Sequence, residues 1–202
     1  MYGPIDTRDP ASCAAAYTGI LRWPVAVGYR YRPRGGCTCG TPESCPAPGA
    51  HPLPGPVTVC TAEQLGDELA ASPGAALIAP TVSFDAIALP REYGMAAMIS
   101  LDRVAPVPCL MEGDRAMLLV LPSTGRYAVG GMTDSAVQVR SGPTGWVALP
   151  PSHGVRWDTP PWHEQAHQPL PLLHGQDLRS HLDEALRVVA PQAADSMAVQ
   201  RS

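Results

Sequence analysis

A short segment in the first third of the chain holds three cysteines and one histidine: Cys37, Cys39, Cys45 and His51. Thiolates and imidazole are the ligands that zinc prefers in proteins, and four of them complete a tetrahedral site. Because four protein ligands leave no position for a reactive water, such a site is structural rather than catalytic. The spacing therefore predicts one structural zinc ion. A reduced cluster without metal, and disulfide or redox chemistry, are the alternatives.

Whether these cysteines bind metal or form disulfides depends on the cellular compartment of the protein. The N-terminal residues lack a basic start followed by an apolar core, and no apolar stretch approaches the length of a membrane span. We therefore expect a cytoplasmic protein without signal peptide or membrane contact, in which cysteines stay reduced and a local cluster favours metal. The other cysteines, Cys13, Cys60 and Cys109, have apolar or strand-like neighbours and are predicted to be small buried side chains.

The overall charge argues against a dedicated duplex-binding module. The formal net charge is −4, and all 14 basic residues are arginines. A local nucleic-acid contact is nevertheless predicted where Arg30, Arg32 and Arg34 alternate with Tyr29 and Tyr31. Arginines can hold phosphates while aromatic rings stack on bases, and an extended backbone would place the three arginines on one face. The alternative is a solvated edge strand.

Helices and short strands alternate along the rest of the chain. Caps and apolar periodicity predict helices over 10–22, 61–72, 90–101 and 177–189. Apolar runs and turn residues predict strands over 24–28, 76–79 and 84–89, a hairpin of 107–111 with 116–121, and a second hairpin of 136–140 with 146–149.

The length and composition fit one domain. We expect an N-terminal tail over 1–9, a domain over 10–190 and a disordered tail over 191–202. Residues 30–56 are rich in Gly, Pro, Cys and Arg and form a long zinc-binding loop after the first strand. The metal would stabilise a segment that has little apolar core of its own.

The order of these features resembles a known family. An alanine-rich helix precedes Gly19-Ile-Leu-Arg-Trp-Pro-Val25, an arginine–proline segment, a CxCG…CPxPGxHP cluster and, far downstream, Gly145-Trp-Val-Ala-Leu-Pro-Pro-Ser152 with Val155-Arg-Trp157. Over about residues 10–160 the chain resembles the N-terminal domain of bifunctional DNA primase/polymerases. The resemblance implies a primase-polymerase-like α+β fold, in which helices flank a mixed β-sheet that carries an inserted zinc-binding loop.

Members of that family join nucleotides with carboxylates that hold two divalent metal ions, and with a histidine that handles the incoming triphosphate. The resemblance places Ala88 and Pro90 at the family's Asp-x-Asp, Ala116 at its histidine and Gln138 at its third acidic position. All three elements are thus predicted to be missing. Asp85 precedes Ala88 by three residues, which puts it on the opposite face, and it is predicted to be a strand-start or solvent-facing acid.

The expected function is therefore non-catalytic: a zinc-containing regulatory or interaction module that binds a protein partner, a nucleic acid or a nucleotide. The candidate residues for nucleic-acid or nucleotide contacts are Arg30, Arg32, Arg34, Arg115, Arg140 and Ser152. The alternative is an active metal-dependent primase/polymerase with displaced acidic residues. Such a displaced site would draw on Asp85, Glu112, Asp114 and Asp134.

Overall fold

A computed structural model describes residues 5–132, 136–163, 165 and 167–199, with the backbone alone for 190–199. The helices in these ranges are α1 (Pro10–Ala15, continued by a π-helical turn over Ala16–Ile20), α2 (Ala62–Ala71), α3 (Arg91–Leu101), α4 (Gly125–Ala128) and α5 (Gly175–Val199), with a 3-10 turn over Pro42–Ser44. The strands are β1 (Ala26–Arg32), β2 (Gly36–Cys37), β3 (Ala75–Pro90), β4 (Cys109–Glu112), β5 (Arg115–Val120), β6 (Gln138–Leu149), β7 (Val155–Thr159), β8 (Trp162–His163) and β9 (Gln168–Pro169).

The helix starts follow their local sequence signals. The Asp9 carboxylate accepts a hydrogen bond from the Ser12 amide at 2.7 Å, and Pro10 occupies the first turn of α1. Thr61 and Gln64 form the predicted capping box of α2. Helix α5 continues through 191–199, where the sequence predicted a disordered tail, and 200–202 lie outside the described residues. Within the described chain, no helix combines the length and apolar character that crossing a membrane requires.

The main sheet is antiparallel, not mixed as predicted. Its strands follow the order β2-β1-β3-β5-β4-β7, and β6 pairs with the opposite edge of β3. Every pairing between the described strands is antiparallel. Helix α3 connects β3 to β4, and β5 lies between these two strands in the sheet. The α+β class itself is confirmed.

Two strand predictions are wrong in one region. The sequence predicted a break within 80–83 and a hairpin turn within 141–145, whereas β3 and β6 each continue through these segments. The two strands pair with each other at both ends, with register shifts after Pro80 and between Thr81 and Ala86. The Thr81 hydroxyl donates to the Gly142 carbonyl across this irregularity at 3.0 Å. Pro80 cannot donate to a strand ladder, and it lies where the register shifts.

Apolar side chains cover both faces of the sheet. One face packs with the N-terminal helical segment around Tyr17, Trp23 and Phe84. The other face packs against α3 and α5, in a cluster that contains Leu101 and Leu178. The predicted apolar stripe of α5 is therefore confirmed over its first turns. Both faces of the sheet are thus packed, and its ends and edges position the polar groups described next.

Candidate metal centre and the adjoining sheet surface

The four predicted zinc ligands come from a loop that folds back onto β1. The short β1–β2 hairpin pairs Tyr31 with Cys37 and thereby fixes the first cysteine. The last ligand is fixed by the backbone, because the Tyr29 amide donates to the His51 carbonyl at 3.0 Å. This close approach requires glycine at position 28, since a Cβ there would clash with the His51 carbonyl oxygen and approach the Ile78 side chain to 2.8 Å.

The ligand atoms of Cys37, Cys39, Cys45 and His51 all lie within 4.8 Å of one another. The His51 Nε2 atom is 3.3 Å from the Cys37 sulfur and 3.4 Å from the Cys45 sulfur. In a tetrahedral site with Zn–S of about 2.3 Å and Zn–N of about 2.0 Å, nitrogen and sulfur ligands stand about 3.5 Å apart. The cluster therefore has the size and the donor set of a closed Cys3His site that could hold a metal ion such as zinc.

Neighbouring groups orient these ligands. The Gly49 amide donates to the Cys37 sulfur at 3.3 Å, and Cys37 is only 3% exposed. The other ring nitrogen of His51, Nδ1, lies 3.3 Å from the Pro52 carbonyl oxygen. A proton on Nδ1 would be donated to that carbonyl and would leave Nε2 free to coordinate, as in known zinc–histidine sites. Gly49 has a φ of +67°, which favours glycine at this turn.

Two thiols of the cluster differ in acidity. Hydrogen bonds from the backbone and hydroxyl of Thr41 lower the pKa of Cys39 to about 6. Burial raises the pKa of Cys45 to about 11. The lowered pKa favours the thiolate at Cys39, whereas Cys45 would lose its proton on binding a metal ion. By contrast, Cys13 and Cys109 are fully buried in apolar clusters as predicted, and Cys60 is half-buried.

Two of the positions at which the resemblance would place metal-binding acids, Ala88 and Gln138, are neighbours in the sheet. Ala88 in β3 pairs with Met117 in β5 on one side and with Gln138 in β6 on the other. By strand alternation, Ala88, Gln138 and Arg115 share one face. Ala116 lies on the opposite face and belongs to the apolar cluster with α3 and α5. The placement of Ala116 at the histidine position, which rests on the resemblance, stays a prediction, and Arg115 is a β5 residue on the face of Ala88.

Asp85 is neither solvent-facing nor free to bind a metal ion. It is 1% exposed, and its carboxylate accepts hydrogen bonds from the Ser123 amide at 3.0 Å, the Gly125 amide at 2.8 Å and the Ser141 hydroxyl at 2.6 Å. The sequence was right only in placing it on the face opposite Ala88. Its role is to satisfy the first amides of α4 and to join them to β6.

Glu112 is the member of the displaced acidic set that reaches the face of Ala88. Its carboxylate lies 3.8 Å from the Arg140 guanidinium, and burial raises its pKa while Arg140 and Arg115 oppose this rise. Asp114 is exposed in the β4–β5 turn, and Asp134 lies outside the described residues. The described structure therefore brings one of these four acids to this face of the sheet.

Arg115 and Arg140 form a basic cluster with Glu112. Arg115 donates to the carbonyls of Ala136 at 2.8 Å and Ala88 at 3.2 Å, and its buried Nε atom has no hydrogen-bond partner among the described residues. Arg140 donates to the Trp146 carbonyl at 3.3 Å. One carboxylate thus faces two guanidinium groups, so this end of the sheet has an excess of positive charge.

The remaining predicted contact residues are dispersed. Arg30 and Arg32 lie on β1, but Arg34 lies in the turn that follows, so the three do not share one strand face. No acidic side chain of the described chain pairs with them. Ser152 is 3% exposed, and its hydroxyl accepts a hydrogen bond from the Leu77 amide at 2.9 Å. Its buried hydroxyl therefore belongs to the core rather than to an exposed binding surface.

An open cleft of about 470 Å³ separates the metal loop from β6. Tyr29 and Trp146 line this cleft, together with two of the candidate metal ligands, Cys39 and Cys45. The Arg140 guanidinium lies 5.3 Å from the centre of the Trp146 ring, so the cleft borders the basic cluster. Trp146 is half-buried and also packs against the apolar cluster around Tyr17, so its ring is held at the border between core and cleft.

The described geometry defines a compact Cys3His centre beside an antiparallel sheet. No protein-family model matches the chain, and neither the curated proteins nor the solved structures include a match.

Proposed function

We propose that the chain is a non-catalytic module with a primase-polymerase-like scaffold and a structural zinc ion, which binds nucleic acid, a nucleotide or a protein partner. The zinc ion would fix the loop between β1 and α2. The end of the sheet beside Ala88 and the adjoining cleft would provide the binding surface. The chain's own residues would contribute positive charge and aromatic surface there rather than metal-binding carboxylates.

The proposal is supported most directly by the residue types at the end of the sheet where the carboxylates of the resembled family would converge. Ala88 and Gln138 are paired neighbours there, and Arg115 shares their face. A divalent cation within about 6 Å of a guanidinium would be repelled by about 5 kcal/mol at an effective dielectric constant of about 20. Two arginines and the single carboxylate of Glu112 therefore disfavour a site for two divalent metal ions.

Two features favour nucleic acid or nucleotide among the proposed ligands. Trp146 and Tyr29 offer aromatic rings within an open cleft, and aromatic rings can stack on any base. Arg140 at the edge of this cleft and the exposed Arg32 on β1 offer positive charge for phosphates. The net charge of −4 makes such binding local and weak at physiological salt.

A primer-extension assay tests the non-catalytic part. The purified chain is incubated with primed and unprimed templates, nucleoside triphosphates and either Mg²⁺ or Mn²⁺. We expect no extension product. Extension by the parent chain that Glu112→Gln abolishes would establish the displaced-acid alternative and refute the proposal.

A binding assay tests the ligand. We expect a fluorescent single-stranded oligonucleotide to bind with an affinity that falls steeply with salt, because bound phosphates release counterions. Arg32→Ala should weaken binding and reduce the salt dependence by about one phosphate contact. Arg103→Ala removes the same charge from an exposed position after α3 and is the matched control. Equal binding by the two variants would argue against the β1 surface, and no binding at any salt would leave the protein partner.

A further inference from the structure

The three cysteines of the candidate metal centre differ in how far they are exposed. Cys39 and Cys45 line the open cleft of about 470 Å³ that faces β6. Cys37 does not line this cleft, is 3% exposed, and its sulfur accepts a hydrogen bond from the Gly49 amide at 3.3 Å. A small molecule that enters the cleft would therefore meet two of the three sulfurs, and these two lie within 4.8 Å of each other.

The segment between these two cysteines can shorten that distance. In a disulfide the two sulfurs lie about 2.05 Å apart. The sulfurs of Cys39 and Cys45 lie within 4.8 Å of each other, so they must approach by less than about 3 Å. Gly40 adopts a φ of +87°, and the space around it is open to 4 Å. Thr41 precedes a single 3-10 turn, Pro42–Ser44, whose residues are exposed. The movement therefore displaces no core side chain.

We propose that Cys39 and Cys45 are a redox-active pair, which hydroperoxides oxidise to a disulfide from the cleft with loss of the zinc ion. The inference depends on the proposed metal centre, and it adds a modification site and a control on that centre. Cys37 and His51 would remain as ligands. Two protein ligands are too few to retain zinc in a tetrahedral site, so the ion would pass to solvent.

The chemistry balances without a further reactant. The Cys39 thiolate attacks one oxygen of the hydroperoxide, which breaks the O–O bond, forms a sulfenic acid and releases an alcohol, or water from hydrogen peroxide, after proton uptake. The Cys45 thiolate then attacks the sulfenic sulfur, which forms the S–S bond and releases hydroxide that takes up a second proton. The two sulfurs lose two electrons, and the hydroperoxide gains them.

The choice of pair distinguishes this proposal from unspecific thiol oxidation. Cys37 also lies within 4.8 Å of both partners, so distance alone permits three pairings. Access from the cleft selects Cys39 or Cys45 for the first oxidation, and the buried Cys37 sulfur is held by the Gly49 amide, which favours Cys39 with Cys45. Cys60 is half-buried but lines a different cleft, beside Pro52 and Glu68, and Cys13 and Cys109 are fully buried. None of these three should take part.

The test uses the full chain as purified, with its metal content measured first. Hydrogen peroxide is added stepwise, released zinc is followed with a colorimetric chelator, and disulfides are mapped by mass spectrometry after alkylation. We expect loss of one zinc ion per chain in step with loss of two alkylatable thiols, a Cys39–Cys45 disulfide, and Cys37 recovered as a free thiol. Dithiothreitol with added zinc should reverse the change. Cys60→Ser should behave as the parent does.

Other outcomes separate the two proposals. A disulfide that includes Cys37 or Cys60, or zinc that is retained while thiols are lost, would overturn the redox pair and leave the metal centre intact. A chain that is isolated without zinc and cannot be loaded would refute the metal centre. In that case the same mapping on the metal-free chain still decides the pair, because the cleft selects the same two sulfurs.

Discussion

Replacement of Asp85 by alanine should destabilise the fold severely. The carboxylate accepts three hydrogen bonds, and two of the donors are the amides of Ser123 and Gly125 at the start of α4. Removing the acceptor leaves these donors without a partner in a buried place, at about 1–3 kcal/mol each. The loss of the Ser141 hydrogen bond adds about 1 kcal/mol. We expect Asp85→Ala to lower the free energy of unfolding by about 3–7 kcal/mol, or the melting temperature by about 6–28 °C.

Urea denaturation of a short variant series measures this. Asp85→Asn keeps one oxygen acceptor but turns an amide group toward one of the donors, so its loss should be intermediate. Ser141→Ala removes one hydrogen bond and leaves both amides satisfied, at a cost of about 1 kcal/mol. We expect Asp85→Ala to be the most destabilised variant, Asp85→Asn to be intermediate and Ser141→Ala to be the least destabilised. Stability of Asp85→Ala within about 1 kcal/mol of the parent would refute the reasoning, since such a change is within the range of ordinary surface substitutions.

Three further predictions concern other parts of the molecule. Cys37→Ser should abolish zinc binding and lower stability more than Cys39→Ser does, because Cys37 is buried; zinc analysis and thermal melts of both variants check this, and the reverse order would contradict it. Gly28→Ala should lower the free energy of unfolding by about 1–3 kcal/mol, because the added methyl group overpacks against the metal loop. Gly66→Ala, in open space within α2, should raise it by about 0.5–1 kcal/mol. Equal effects of the two variants in urea denaturation would contradict this prediction. The raised pKa of Glu112 means that the folded state binds a proton more readily than the unfolded state, so its contribution to stability is lost as pH rises above about 4.5. Glu112→Gln should therefore reduce the stability gained as the pH falls from neutral toward about 4.5, and an unchanged pH dependence would count against the raised pKa.

The metal centre could be predicted from the sequence because its determinants are local. Cys37 and His51 are separated by a short glycine- and proline-rich segment, so their types and spacing were sufficient to bring them together. The caps of α1 and α2 were predictable for the same reason, since each depends on residues within one helical turn. Short-range signals of this kind do not depend on which strands become neighbours.

The arrangement of the sheet could not be predicted in this way. Ser141-Gly-Pro-Thr-Gly145 has the composition of a hairpin turn, but its neighbour is the irregular part of β3, which pairs with β6 on both sides of it. Asp85 was misjudged for a related reason: its three donors come from segments distant in sequence, and only the folded sheet brings them to it.

The self-contained contacts of the metal loop have a consequence for the order in which the chain acquires its structure. The pairings that hold the ligands in place, Tyr31 with Cys37 and the Tyr29 amide with the His51 carbonyl, involve residues that are synthesised before β3 and emerge from the ribosome ahead of it. Strand β3 must then find β6, a partner from much later in the chain, and such distant pairings form slowly. We therefore expect the nascent chain to take up its metal ion early, and the loaded hairpin to provide an ordered edge on which β3 assembles.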